Sequence, residues 1–321
     1  MTAKTPAPIA ELYDLIAAAD AEGPVPHPGD KALSGLSGRK TVGLLQRLAA
    51  ARASIPERCY VEIGVFQGLT LLSVALAAPE ANCFGIDDFS ILDPEEKNLA
   101  IVKNRIRDLG ATNARLINSD YEVALASLPE HVGNRRLGVC FIDGAHDYRS
   151  QLMGLLLALP HLADDGVLVV DDANYAFVRR ATSDFLVTHP DFRLIFEAYS
   201  PAHPANMDRS ELAQWEAGWL NGIHVIARDP AHALPHRLPP LADDRALYVN
   251  DWLVHRHGLA ALAPEALEIA SAIVAADQGA ETAARQSLLQ RHAECKAELE
   301  ALFPDRNTRS AGLTEGHVNR S

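Results

Sequence analysis

Cysteine is scarce in this sequence, with four among 321 residues, and the four are far apart in the chain. Disulfide frameworks and metal clusters use closer or more numerous cysteines. Cys59, Cys83 and Cys140 fall in segments predicted to be buried strands, and the fourth is Cys295. We therefore expect reduced thiols with a structural role.

Long apolar stretches and an excess of basic residues are also lacking. No stretch approaches the ~18 uninterrupted apolar residues of a membrane span, and the start, MTAKTPAPIAELYD, contains no apolar signal region. The 42 Asp and Glu residues outnumber the 29 Lys and Arg residues, which gives a net charge of −13. This balance disfavours nucleic acid and anionic membranes as main partners. We expect a cytoplasmic protein that acts on a small molecule.

From residue 59 onward, short apolar segments alternate regularly with helical segments. This alternation is typical of a mainly parallel sheet covered by helices on both faces. No long helix separates the last two strands, so we expect a hairpin there. The predicted fold class is α/β, a Rossmann-like doubly wound sheet of seven mostly parallel strands with an antiparallel last strand. The predicted strands are 59–65, 83–88, 114–120, 137–143, 166–172, 192–200 and 222–229, and the predicted helices lie near 69–78, 94–109, 121–128, 150–162 and 175–189.

Composition divides the chain into four regions. Residues 1–40 are a predicted N-terminal helical cap segment, 41–230 the α/β domain, 231–304 a C-terminal helical extension, and 305–321 a polar tail expected to be disordered. The last helix carries an apolar stripe that is either the seam of a dimer or a face packed on its own domain. The stripe consists of Ala284, Leu288, Cys295, Leu299 and Leu302.

A glycine-rich turn follows the first predicted strand, in the run VEIGVFQG at 61–68. Gly64 and Gly68 allow the backbone to turn sharply and to approach a ligand closely, where a Cβ atom would clash. The dinucleotide fingerprint Gly-x-Gly-x-x-Gly has a different spacing, which disfavours a nucleotide-dependent oxidoreductase. A tight strand-to-helix turn without a ligand is the alternative.

The order of these parts resembles the class I S-adenosylmethionine-dependent methyltransferases over about residues 40–230. Their first motif is an acid followed by Gly-x-x-x-Gly, which Glu62, Gly64 and Gly68 fit. The resemblance implies that S-adenosylmethionine is the cofactor and that the turn lies beside it.

The same resemblance implies roles for acids at the ends of the next two strands. Asp87, which closes the second strand, corresponds to the acid that binds the two ribose hydroxyls, and Asp88 is the one-residue alternative. Ser119 and Asp120 at the end of the third strand correspond to the adenine side. Glu62 belongs to the cofactor shell. For Asp120, capping of the following helix is the alternative role.

Three carboxylates end two consecutive predicted strands, with Asp143 after the fourth strand and Asp171 and Asp172 after the fifth. A helix joins the two strands, so their carboxyl ends meet at one edge of a parallel sheet, where open α/β sheets bind ligands. Converging carboxylates repel one another unless a cation compensates, and Mg²⁺ binds oxygen ligands. We predict a site for Mg²⁺ or Mn²⁺ on these three residues, with helix capping as the alternative.

The run IDGAHDY at 142–148 resembles a broad methyltransferase group with the motif Ile-Asp-Gly-x-His-x-Tyr. The placing of the acids is similar to that in metal-dependent catechol-type and antibiotic-sugar O-methyltransferases, although the latter have an acid where this chain has Ala145. The catechol-type enzymes place a lysine base at the position of His146, which implies a catalytic role for His146 beside Asp143. Histidine accepts a proton near neutral pH. A buried structural histidine is the alternative.

These resemblances imply an S-adenosylmethionine-dependent O-methyltransferase for a small hydroxylated acceptor, namely a sugar, polyol or phenolic natural product, assisted by a divalent cation. A metal-independent methyltransferase with His146 as base and a non-catalytic cofactor-binding assembly protein are the alternatives. Trp215, Trp219 and Asn221 are expected to line the acceptor pocket or to anchor a long loop. A homo-oligomer through the C-terminal helices is also expected.

Overall fold

The computed structural model describes residues 7–93, 95–202, 204, 207–241, 263–275, 277–302 and 317–318. The strands of these residues are β1 (Arg58–Ile63), β2 (Cys83–Ile86), β3 (Ala114–Ile117), β4 (Arg136–Ile142), β5 (Leu162–Asp171), β6 (Phe192–Ala198), β7 (Ile223–Arg228) and β8 (His317–Val318). The α-helices are α1 (Ala7–Glu22), α2 (Arg39–Leu48), α3 (Leu69–Ala77), α4 (Asn98–Asp108), α5 (Tyr121–Ala126), α6 (Leu128–Val132), α7 (Tyr148–Ala158), α8 (Ala176–Thr188), α9 (Arg209–Glu216), α10 (Ala263–Val274) and α11 (Gln278–Leu302).

The strands form one sheet in the order β3-β2-β1-β4-β5-β7-β6-β8. Strands β1 to β5 pair in parallel, whereas β7 pairs antiparallel with both β5 and β6. The predicted Rossmann-like fold with an antiparallel last strand is therefore confirmed. The two-residue β8 adds a strand beside β6. It comes from region 305–321, predicted to be disordered, and the rest of that region lies outside the described residues.

Side chains of the central strands are buried on both faces of the sheet. Along β1, Tyr60 belongs to one core cluster and Val61 to the other, because successive side chains of a strand point to opposite faces. Such strands are apolar throughout, which is why apolar segments alternating with helices predicted them. Cys59, Cys83 and Cys140 are buried free thiols, as expected.

Helix α1 packs on the same core as the sheet. Ile9, Leu12 and Ile16 recur on one helical face and are buried in the cluster that contains Leu44 and Leu48 of α2. The predicted N-terminal cap segment thus shares a core with the α/β domain.

Helices α10 and α11 of the C-terminal extension pack against each other. Ala272 of α10 and Ala284 of α11 are buried, and Leu288 of α11 is half-buried. The other three residues of the predicted stripe lie outside the part of the chain whose side chains are described. A dimer seam on this stripe stays a prediction. Among the described helices, none is long and apolar enough to cross a membrane.

We predict that Ile16→Ala destabilises the whole α/β domain. Ile16 is 1% exposed in the shared core, and truncation of such a side chain costs about 2–5 kcal/mol of unfolding free energy. The measurement is urea unfolding followed by the fluorescence of Trp219, which lies in the same cluster. Val123→Ala is the control, since Val123 is 62% exposed on α5. An equal effect of the two substitutions would contradict a common core.

Candidate active site

A cavity of about 710 Å³ opens at the edge where the parallel strands end. The loops that follow β1, β2, β3, β4 and β5 all contribute to its walls, as do residues 35–37 ahead of α2 and residues 220–221 ahead of β7. Its volume is within the usual range for cofactor and small-molecule sites. The cavity is continuous, so the glycine turn and the predicted acid site border the same space.

The two glycines of the turn serve different purposes. Both have left-handed backbones, with φ of +88° at Gly64 and +83° at Gly68. Gly64 borders the cavity, and a Cβ there would stand 1.9 Å from the carbonyl oxygen of Asp143. Gly68 precedes α3 and does not border the cavity; a Cβ there would meet Val102 and Leu72 at 3.2 and 3.3 Å. The left-handed backbone of Gly68 by itself favours glycine at this position, and the role of Gly68 beside the cofactor stays a prediction.

Asp87 holds the glycine turn from the end of β2. Its Oδ2 atom accepts hydrogen bonds from the amides of Val65 and Phe66 at 2.8 and 2.9 Å, and its Oδ1 atom accepts from Phe89 at 2.7 Å. Asp87 and Asp88 both border the cavity, and Asp88 accepts from the amide of the residue two positions later. Both acids thus remain candidates for binding a ligand hydroxyl.

Ser119 and Asp120 also border the cavity, at the end of β3. The Oδ1 atom of Asp120 accepts from the amides of Glu122 and Val123 at 2.9 and 3.2 Å, which caps α5. The alternative role of Asp120 as a helix cap is therefore real, and it coexists with a place in the cavity wall.

Glu62 lies beneath the cavity and does not border it. The carboxyl group is buried and accepts hydrogen bonds from the hydroxyls of Tyr60 at 2.7 Å and Thr70 at 3.2 Å. Burial raises its pKa to about 8, although the hydrogen bonds from Tyr60 and Thr70 oppose the shift. Thr70 borders the cavity, so Glu62 acts on the site by fixing the start of α3.

At the other end of the cavity, Asp143, His146 and Asp172 come together. One potential ligand atom from each lies within 4.8 Å of the others. His146 Nε2 lies 2.9 Å from Asp172 Oδ2, and the imidazole stacks on Tyr175 with ring centres 5.2 Å apart. Asn221 Nδ2 donates to Asp172 Oδ1 at 2.6 Å. The group can hold a cation or orient a histidine base.

Asp171, the third predicted ligand, is not in this group. It is the last residue of β5, is 6% exposed and does not border the cavity. Asp172 follows with a φ of +56°, and it is this residue that faces the cavity. Burial raises the pKa of Asp171, as does the nearby Asp172. Burial also raises the pKa of Asp143, and the charges of Asp171 and Asp172 raise it further.

The segment before β7 is divided between core and cavity. Trp219 is buried, packs on Phe196 with ring centres 4.9 Å apart, and donates from Nε1 to Asp20 at 3.1 Å. It is a core anchor, and Trp215 does not border the cavity either. Asn221 does, so one of the three expected pocket residues is placed in its wall.

Sequence reasoning missed two parts of the wall. The sequence predicts no site at residues 35–37, and it predicts Tyr175 only as the first residue of the helix at 175–189. A glycine- and serine-rich connection carries no signal for the place where it crosses the fold. The stacking of Tyr175 on His146 depends on how α8 follows β5.

Residues 61–173 match the family model Methyltransf_24, described as a methyltransferase domain. The chain carries a methyltransferase domain. The match spans the glycine turn, Asp87, and the acids after β4 and β5. The expectation of a methyltransferase is therefore confirmed.

Solved structures similar to this methyltransferase include two O-methyltransferases. One is from Bacillus cereus in complex with SAH (13% identity, TM-score 0.44, covering 70% of this chain and 92% of that chain). The other is TomG from Streptomyces achromogenes, involved in tomaymycin synthesis, in complex with SAM (17% identity, TM-score 0.46, covering 70% and 91%). No curated protein matches the chain.

We predict that Glu62→Gln stabilises the methyltransferase more at pH 8.5 than at pH 5. The pKa of Glu62 is raised from its ordinary value of 4.5 to about 8 in the folded protein, so the folded state holds a proton that the unfolded state releases. The stability contributed by that proton is present below pH 4.5 and is lost as the pH rises toward 8. Glutamine removes this loss. The measurement is the melting temperature of both proteins at the two pH values, and an equal difference at both would contradict the shift.

Proposed function

We propose that the methyltransferase transfers the methyl group of S-adenosylmethionine to an oxygen of a small hydroxylated acceptor, namely a sugar, polyol or phenol, with help from a divalent cation. The observation that carries the proposal is the single cavity bordered at one end by the glycine turn and Asp87 and at the other by Asp143, His146 and Asp172. Cofactor and acceptor sites in one space are what a direct transfer requires.

The cofactor end fits S-adenosylmethionine. Asp87 is fixed by backbone amides, and a carboxylate has further lone pairs for ribose hydroxyls. Both bonds in the cap of α5 use Oδ1 of Asp120, which leaves Oδ2 to accept from an adenine amine beside Ser119. The buried hydroxyl of Ser90 has no partner among the described residues and borders the cavity, which suits a polar ligand. When bound, S-adenosylmethionine supplies an electrophilic methyl group.

The acid end fits a divalent cation. Asp143 and Asp172 would hold it, with His146 beside them as the base, and the predicted ligand Asp171 adds negative charge nearby. Burial raises the pKa of Asp143, the charges of Asp171 and Asp172 raise it further, and a cation would relieve this repulsion. Carboxylate oxygens suit both Mg²⁺ and Mn²⁺. When bound, the cation supplies positive charge that orients adjacent acceptor oxygens and favours their ionisation.

His146 takes the proton from the acceptor hydroxyl in this proposal. Asp172 lies 2.9 Å from its Nε2 and stabilises the imidazolium, while the stack on Tyr175 fixes the plane of the ring. Asn221 in turn holds Asp172 through the bond to Oδ1. Asp143 lies across from this pair and completes the negative environment that favours proton transfer to His146.

A metal-independent methyltransferase with His146 as base, acting on oxygen or nitrogen, is the second candidate. The observation that favours it is the 2.9 Å contact between His146 and Asp172, because an Asp–His pair is a functional base without a cation. A homo-oligomer through α11 is compatible with either candidate.

We predict that S-adenosylhomocysteine binds the wild type and that Asp87→Asn weakens binding at least tenfold, since a charge-assisted hydrogen bond contributes about 1.5–3 kcal/mol. The amide oxygen of asparagine still accepts from the glycine turn, so the fold should persist. Calorimetry measures the affinity, and Asp88→Asn is the matched control. A larger loss of affinity in Asp88→Asn would indicate that Asp88, and not Asp87, binds the ribose hydroxyls. Binding of NAD in place of S-adenosylhomocysteine would overturn the cofactor assignment.

We predict that chelation suppresses methyl transfer to a panel of phenols and polyols and that Mn²⁺ or Mg²⁺ restores it. Asp172→Asn and Asp171→Asn should lose activity while S-adenosylhomocysteine affinity is kept, and the larger loss of Mn²⁺ affinity identifies the direct ligand. His146→Ala should slow the chemical step by about 10²–10⁴-fold, with partial recovery at high pH, where the acceptor ionises unaided. Full activity in excess chelator would leave the metal-independent candidate standing.

A further inference from the structure

Residues 34–38 join the region after α1 to α2 and pass over the cavity as an irregular stretch, here termed the cover segment. Gly35, Leu36 and Ser37 all border the cavity. Leu36 is 63% exposed. The hydroxyl of Ser37 is buried and has no partner among the described residues. The cover segment therefore presents an apolar and a polar contact to whatever fills the cavity.

One end of the cover segment is held by Arg105 of α4. Its Nη1 atom donates to the carbonyl oxygens of Ser34 at 3.2 Å and of Gln67 at 2.5 Å, and its Nη2 atom donates to Ser34 Oγ at 3.1 Å. Gln67 lies in the glycine turn, between Gly64 and Gly68. A single guanidinium thus joins the cover segment to the turn that borders the cofactor.

The other end is held by close backbone packing against the loop before β7. A Cβ on Gly38 would stand 2.5 Å from the carbonyl oxygen of Gly218 and 2.9 Å from the amide nitrogen of Leu220, and the amide of Lys40 donates to the Gly218 carbonyl at 3.0 Å. This contact does not involve Arg105. Loss of Arg105 would therefore release the end of the cover segment at Ser34, near the glycine turn, and leave the end at Gly38 in place.

We infer that Arg105 is a positioning residue that closes the cover segment over the cofactor and so slows release of the demethylated cofactor product, S-adenosylhomocysteine. Arginine suits this role because its planar fork donates to two acceptors at once, which a lysine ammonium does with less geometric definition. The inference goes beyond methyl transfer itself, and it depends on the cofactor assignment but not on the acceptor or the cation.

The experiment compares Arg105→Met, Arg105→Lys and Ser34→Ala with the wild type. Arg107→Met is the matched control, because Arg107 lies on the same helix, is exposed and pairs with Asp108. The readouts are the dissociation rate of S-adenosylhomocysteine and amide hydrogen exchange of the cover segment. In Arg105→Met we expect the dissociation rate to rise about tenfold or more above the wild-type rate, because charge-assisted hydrogen bonds are lost. Smaller effects are expected in Arg105→Lys and Ser34→Ala, and none in the control.

Amide exchange of the cover segment should rise in Arg105→Met while the melting temperature and the exchange of β1 and β4 stay near wild-type values. Unchanged exchange in the cover segment would overturn the clamp. Faster exchange with an unchanged dissociation rate would overturn the role in product release. If the wild type does not bind S-adenosylhomocysteine, the cofactor assignment and the retention role fail together, and the exchange data still decide separately whether Arg105 holds the cover segment.

Discussion

The backbone at Gly64 approaches the carbonyl of Asp143 so closely that no side chain fits between them, since a Cβ would stand 1.9 Å from the oxygen. The amide of Asp143 also donates to Ile63 at 2.9 Å, which extends the pairing of β1 with β4 to the loops. The turn that borders the cofactor and the loop that carries the acid site are therefore in direct contact. Their relative position is set by the sheet, and every later feature of the site depends on this contact.

Negative charge is the second constraint on the site. Burial raises the pKa of Asp143, and Asp171, Asp172, Glu62 and Asp87 add to the rise in that order. The fold meets each acid with different donors. Asp87 receives backbone amides, Glu62 receives two hydroxyls, and Asp172 receives an amide and an imidazole. Asp143 has no comparable set of donors among the described residues, so the charge that remains to be balanced is concentrated at the acid end of the cavity.

The mostly parallel sheet, its antiparallel last strand and the meeting of the acids could be predicted from the sequence because they depend on local patterns, namely apolar strands, helical connections and the hairpin before β7. The choice between Asp171 and Asp172 could not be predicted, since it depends on the left-handed backbone of Asp172. The core position of Trp219 depends on neighbours that are distant in sequence, namely Phe196 and Asp20. The path of residues 34–38 over the cavity could not be predicted either, because it depends on contacts with Arg105 and with the loop before β7.

Because β7 runs against its neighbours, the residues that precede it reach the same edge as those that follow β4 and β5. The connection from β6 to β7 therefore builds part of the acceptor wall without contributing to the glycine turn. Helix α9 lies in the described part of this connection, and none of its residues is buried. Insertions and deletions there change the shape of the wall and leave the hydrogen bonding of the sheet intact. This part of the cavity wall can therefore vary independently of the glycine turn.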